Sequence, residues 1–270
     1  MLGKLFKHEF KETAKRLIPL NLIILIFTAL GCILIGARLF HQESLSVLSV
    51  SYIFIYILSI FALFVITGVY LTIRFYRTMY SNQGYLTHTL PVSTGSILNT
   101  KILVSAFWIC IAFIITVLSI FTLVRVAAGD AWQSLDFNSF NYMISEAFGI
   151  GYGKFWFYVI SILILTCFST ILMIFASLSI GQMFSQHRIL GSIGAFIAIY
   201  IVQQIVGTIT MFILGIQSIA FEPTEQVESA AFLSKLYHHV FTAALAESAL
   251  FVVAFYGICY YLTKKKLNLE

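Results

Sequence analysis

The chain has 270 residues, of which 60% are hydrophobic and only 10% charged, with a formal net charge of +5. A soluble domain carries about a quarter of its residues as Asp, Glu, Lys or Arg, so this balance excludes an ordinary soluble fold and reads as an integral membrane protein. The positive excess does not point to nucleic acid, because it is parcelled out between apolar runs rather than gathered on one face.

Residues 1–17 read as a basic amphipathic helix. Leu2, Leu5, Phe6, Phe10, Ala14 and Leu17 recur at three- and four-residue steps, while Lys4, Lys7, Glu9, Lys11, Glu12, Lys15 and Arg16 take the other faces. Such a helix lies in the headgroup plane with its lysines toward anionic lipid, which makes membrane lipid an expected partner. The apolar run behind it has near full spanning length and no A-x-A site follows, which argues against a cleaved leader.

Six spans follow. Residues 17–37 carry no charge, enough for a first crossing over about 18–37 at roughly 20 residues per bilayer. Arg38, His41 and Glu43 mark a short loop. The charge-free run 44–73 outlasts a hydrocarbon core of about 30 Å at about 1.5 Å per residue. The second span, 46–73, therefore tilts or projects, carrying Arg74 and Arg77 beyond the core. The third span covers 102–124, and residues 125–154, with Asp130, Asp136 and Glu146, read as a loop with interfacial pieces. The fourth covers 155–184, ended by His187 and Arg188, and the fifth 189–216. Residues 222–247 begin acidic and turn mildly apolar, and either dip back toward the membrane or stay outside it. The last span is 241–263, and residues 264–270 form a tail opening on Lys264, Lys265 and Lys266. The expected architecture is all-α: an amphipathic interfacial helix (1–17), a six-span domain (18–263) with a polar loop at 74–101, and the tail.

Placing the N-terminus inside puts twelve of the 16 Lys and Arg residues on the cytoplasmic side; Arg38, Arg125, Lys154 and Lys235 fall outside. The positive-inside bias thus expects both termini and the 74–101 loop in the cytoplasm of a multi-pass protein. Cys32, Cys110, Cys167 and Cys259 all lie in apolar runs without CxxC or Cys/His spacing, so neither a disulfide nor a metal site is expected. His238 and His239 lack the helix-face spacing of H-E-x-x-H. Glu247 reads as an intramembrane carboxyl, or as an interfacial one paired with Lys235.

The loop reads RFYRTMYSNQGYLTHTLPVSTGSILNTK. Asn82 can cap a short helix over residues 83–89, and Pro91 drives Leu90 toward an extended conformation. Ser93 then caps the next helix, with Ile97, Leu98 and Ile102 facing neighbours. No G-x-x-x-x-G-K-[ST] motif occurs, and Gly149, Gly151 and Gly153 read as a turn, so no nucleotide pocket is expected on this chain.

In its order of elements the loop resembles the first cytoplasmic loop of type-2 permeases of ATP-binding-cassette (ABC) transporters. Arg74, Phe75, Tyr76 and Arg77 match the basic–aromatic start; Gly84, Tyr85 and Leu86 the middle; Leu90, Pro91, Val92 and Ser93 the turn; and Lys101 the opening of the next span. The match covers about a tenth of the chain, and the span layout extends it. The resemblance implies a coupling helix that seats in a separate ATPase subunit, with Gly84, Tyr85, Leu86, His88, Leu90 and Pro91 as the contacts. It further implies two ATPase copies that hold the ATP and Mg, no cofactor on this chain, and a second permease subunit, the same or related. The setting it implies is a bacterial plasma membrane of Gram-positive type. The activity is export of a hydrophobic or amphipathic substrate such as an antimicrobial peptide, a drug or a lipid. A capped linker without a partner is the plainer reading of the same loop.

Tyr52, Tyr56, Ser59, Leu63, Thr67 and Tyr70 share one face of the second helix, and Gln203 and Gln204 sit near the middle of the fifth span. The resemblance implies that these spans line the substrate path; read from the residues alone, plain helix packing explains the hydroxyls equally well. Gly191 with Ala195, and Gly194 with Ala198, form small-xxx-small pairs in the fifth span. Two other classes compete. An intramembrane enzyme needs converging acids and bases at membrane depth, and spans one to five contain none, so no enzymatic activity is expected. A partnerless scaffold or scramblase is the third reading.

Overall fold

The computed structural model describes residues 2–37, 46–81, 83–84, 89, 92–129, 137–184, 186–219 and 226–265. Those residues form seven α-helices and no strand: α1 (Leu2–Gly36), α2 (Ser46–Met79), α3 (Thr94–Ala128), α4 (Phe137–Phe148), α5 (Tyr152–Gly181), α6 (Arg188–Ile219) and α7 (Gln226–Lys265). All but α4 contain a stretch long and apolar enough to cross a membrane, so the chain is an all-α integral membrane protein with six candidate spans.

Two helix boundaries change the picture drawn from hydropathy. The basic amphipathic stretch and the first apolar run are one unbroken helix, α1, with Pro19 inside it. Proline omits a single backbone donor and need not end a helix whose neighbouring turns pack well; Leu17 and Asn21 on either side are both buried. The last helix is likewise unbroken from Gln226 to Lys265, so from residue 226 onward the segment before the last span does not turn back.

The chain forms two compact units, Met1–Ser134 and Leu135–Glu270. In the first, α1, α2 and α3 meet around Ile24, Leu63 and Ala112, backed by Leu20, Ile60, Phe64 and Ile115. A hydroxyl network lies beside this core. Thr28 bonds both the Ile24 carbonyl (2.7 Å) and Ser119 Oγ (2.7 Å), and Tyr56 reaches the same Ser119 oxygen. Polar groups in an apolar surround must find partners across helices, and these do. Gly31 makes room for one of them: a Cβ there would stand 2.2 Å from the Tyr52 hydroxyl. That hydroxyl instead donates to the Phe27 carbonyl at 2.7 Å.

In the second unit α5 supplies the core. Ile171, Leu172, Phe175 and Ala176 are fully buried, as are Phe255 and Cys259 of α7. Near its other end an aromatic cluster gathers Phe148, Phe155, Tyr158, Tyr237 and Phe241, with Tyr158 stacked on Phe241 at 5.4 Å. α5 and α6 approach closely where Gly181 faces Ser192, whose backbone nitrogen lies 2.6 Å from where a Gly181 Cβ would be.

Candidate functional site

Most charged residues of the first unit lie on the N-terminal half of α1, the last turns of α2 and the first turns of α3. Glu9, Arg74 and Lys101 all fall outside the charge-free runs 17–37, 44–73 and 102–124, yet all three are largely covered by protein. Helical spacing explains the meeting. Glu9 lies one turn before Thr13 on the face of α1 that packs on α3. Arg74 stands on the last turns of α2, and Lys101 two turns into α3.

Their geometry is that of a staple. Arg74 donates Nε to Glu9 Oε1 (2.8 Å) and Nη2 to Oε2 (3.1 Å), the two-pronged pairing that a guanidinium makes with a carboxylate. Lys101 Nζ reaches the same Oε1 at 3.5 Å and donates to Thr78 Oγ1 at 2.7 Å. Thr78 in turn donates to the Arg74 carbonyl at 2.7 Å. One turn along α1, Thr13 accepts from the Trp108 indole at 2.8 Å, and Phe10 stacks on the Trp108 ring. One carboxylate thus ties three helices together, with an aromatic contact beside it.

Burial acts to raise the Glu9 carboxyl, but the Arg74 hydrogen bond and the Lys101 charge outweigh it and hold it below its ordinary value. Lys101, only 6% exposed, is lowered too, which for an ammonium disfavours the charged form: burial and the neighbouring Arg74 charge depress it by more than Glu9 restores. The staple is an ion pair with an extra cation pressed against it.

The staple itself forms part of the wall of a cleft of about 810 Å³ between these helix ends. Five cations line it (Lys4, Arg16, Arg74, Arg77 and Lys101) against two carboxylates, Glu9 and Glu12. Glu12 is engaged by Lys15 at 3.0 Å, and Arg16 lies over the Tyr70 ring at 5.4 Å.

The loop residues proposed for coupling are described only in part. Gly84 is buried, and its N–H donates to the Ser81 carbonyl in a turn directly after α2. Tyr85, Leu86, His88, Leu90 and Pro91 lie outside the described residues, as does Asn82. Ser93 caps α3 as its sequence position suggested, its hydroxyl accepting from Ser96 N at 3.3 Å, and Ile97, Leu98 and Ile102 are buried.

The path residues divide. Tyr52 and Tyr56 spend their hydroxyls on α1 and α3, and Thr67 is 1% exposed, so within this chain their geometry is that of helix packing. Ser59 bonds the Ile55 carbonyl of its own helix. On α6, Gln204 Nε2 donates to Tyr200 Oη at 3.1 Å, and Tyr200, Gln204 and Thr208 line a shallow groove on a helix face of otherwise exposed apolar residues. Gln203 is half-buried on the adjoining face. The α2 stripe belongs to the first unit and the α6 glutamines to the second. In the second unit His238 Nδ1 lies 3.0 Å from the Tyr158 hydroxyl. No three His, Cys, Asp or Glu side chains converge among the described residues.

Sequence reasoning left Glu9 as one polar residue among several on α1. A signal was present: two cations at the membrane-proximal ends of neighbouring helices call for a counter-charge, and Glu9 and Glu12 are the only acids before residue 43. In comparisons with known proteins no family model matches the chain, and no similar curated protein and no similar solved structure is found.

Proposed function

We propose that the chain is the membrane-spanning permease subunit of an ATP-driven exporter of the ABC type. It forms the path for a hydrophobic or amphipathic substrate (an antimicrobial peptide, drug or lipid) and is powered by two copies of a separate ATPase that hold the ATP and Mg. In this reading it sits in a bacterial plasma membrane with both termini and the 80–93 loop in the cytoplasm, as the distribution of Lys and Arg favours.

The observation that carries the reading is the Glu9 staple. A loop that only links two helices needs no cross-brace. Here the helices entering and leaving the loop are joined through Arg74 and Lys101 to a third helix, one to two helical turns from where α2 ends and α3 begins. A push on the loop then moves the ends of α1, α2 and α3 as a body, which is what conversion of ATP-driven closure into rearrangement of spans requires. The exposed Tyr200–Gln204–Thr208 stripe of α6 suits the second permease subunit, since polar groups on a span find partners at helix contacts.

The test is assembly and turnover. The tagged full-length chain, isolated from its native host, should bring down a chain with a nucleotide-binding motif, and the complex should hydrolyse ATP. Leu86→Asp should abolish that association or uncouple hydrolysis from transport. Wild-type-like assembly and transport in Leu86→Asp would remove the coupling claim; absence of any ATPase partner would remove the permease claim itself.

A further inference from the structure

The structure assigns a second property to the charged end of the first unit, independent of the permease reading: the cleft among α1, α2 and α3 is a binding site for the phosphate group of an anionic phospholipid. Ion pairing inside the first unit does not use up its charge. Glu9 is committed to Arg74 and Lys101, and Glu12 to Lys15. Lys4, Arg16 and Arg77 are exposed, line the cleft, and form no ion pair among the described residues. Three positive charges in excess, two of them guanidiniums, make a setting that favours a phosphate oxygen cluster over a carboxylate or a neutral group.

The cleft volume of about 810 Å³ falls within the roughly 300–1,000 Å³ typical of small-molecule sites, so it admits a headgroup and not merely a single ion. The Tyr70 ring under Arg16 sets that guanidinium in place before any ligand arrives. What surrounds the cleft selects a lipid over a soluble phosphate ester. Ile73 lines the cleft and is 51% exposed, and the same helix faces continue into the apolar runs through exposed Ile66 on α2 and Ile23 on α1. A ligand with its phosphate among Lys4, Arg16 and Arg77 has acyl chains that follow Ile73, Ile66 and Ile23. A soluble phosphate compound would leave that strip unused.

The experiment uses the full-length chain in neutral detergent, with an equimolar mixture of phosphatidylglycerol and phosphatidylcholine, and native mass spectrometry to count retained lipid. Wild-type protein should retain phosphatidylglycerol preferentially. The preference should fall about fivefold for each arginine removed in Arg16→Gln and Arg77→Gln. Both side chains are exposed and lie outside the staple, so these variants keep their fold. Lys7→Gln with Lys11→Gln removes the same charge from α1 outside the cleft and should leave the preference intact. Equal loss in the combined Arg16→Gln, Arg77→Gln variant and the Lys7→Gln, Lys11→Gln variant, or no headgroup preference in the wild type, overturns the site. Displacement of the lipid from wild-type protein by an equal concentration of glycerol phosphate or inorganic phosphate also overturns the lipid assignment, in favour of a soluble ligand. That competition needs no variant at all.

Discussion

In the first unit three long helices meet on ions at one end; in the second, helices meet on rings and small residues. Glu9, Arg74, Lys101 and Thr78 form a polar knot whose energy depends on charge state. Phe148, Phe155, Tyr158 and Phe241, and the Gly181–Ser192 approach, form contacts that depend on shape. The difference teaches where each unit can be addressed. Shape contacts in an apolar setting are indifferent to pH, salt and charged partners, whereas an ion cluster at the membrane edge responds to all three.

The largest effect is expected from Glu9→Gln. It strands Arg74 and Lys101 without a counter-charge, and losing one partner of a largely buried pair should cost about 2–4 kcal/mol. Unfolding of the purified protein followed by Trp fluorescence would read it, since Trp108 stacks on Phe10 beside the staple. The pH dependence sharpens this. Because the folded-state carboxyl is held below its ordinary value of 4.5, its contribution is complete above that value and disappears as pH falls through the lower folded value. Wild-type stability should therefore drop on the acid side of pH 4.5, and Glu9→Gln should lack that component. An identical acid profile in both proteins would mean that the staple carries no charge-dependent stability.

Next comes the shape-held unit. Gly181→Val places atoms against the Ser192 backbone and should cost about 1–3 kcal/mol by forcing α5 and α6 apart. Gly194→Val, where nothing stands within 4 Å, should be near neutral apart from helix propensity. Similar losses in the two variants would remove the claim that α5 and α6 are fixed at Gly181. The smallest effect is Tyr158→Phe, which deletes the hydroxyl at His238 and keeps the ring on Phe241. A loss of about 0.5–1.5 kcal/mol is expected, and a larger one would show that this aromatic cluster, too, rests on polar bonds.

Much of the architecture was legible in the chain itself. Each charge-free run longer than a bilayer crossing became a helix, and the Ser93 cap fell where a Ser before a long apolar run belongs. Two helix joins were not legible. Hydropathy divides residues 1–36 into a basic part and an apolar part, although the backbone hydrogen bonds continue past Pro19. The 226–265 helix was hidden in the same way, by polar residues that interrupt hydropathy without interrupting the helix. The tyrosine stripe on α2 was visible as a stripe, but only packing revealed that Tyr52 and Tyr56 bond to α1 and α3.

What the sequence by itself determined is the number of helices apolar enough to cross a membrane and the concentration of positive charge at chosen ends, because both are sums over neighbouring residues. What only the tertiary structure decided is which charges meet. Glu9 lies 65 residues from Arg74 and 92 from Lys101. No local periodicity carries such a pairing: it arises when three helix faces, each selected for its apolar contacts, bring their polar ends to one point where an unpaired ion would be costly.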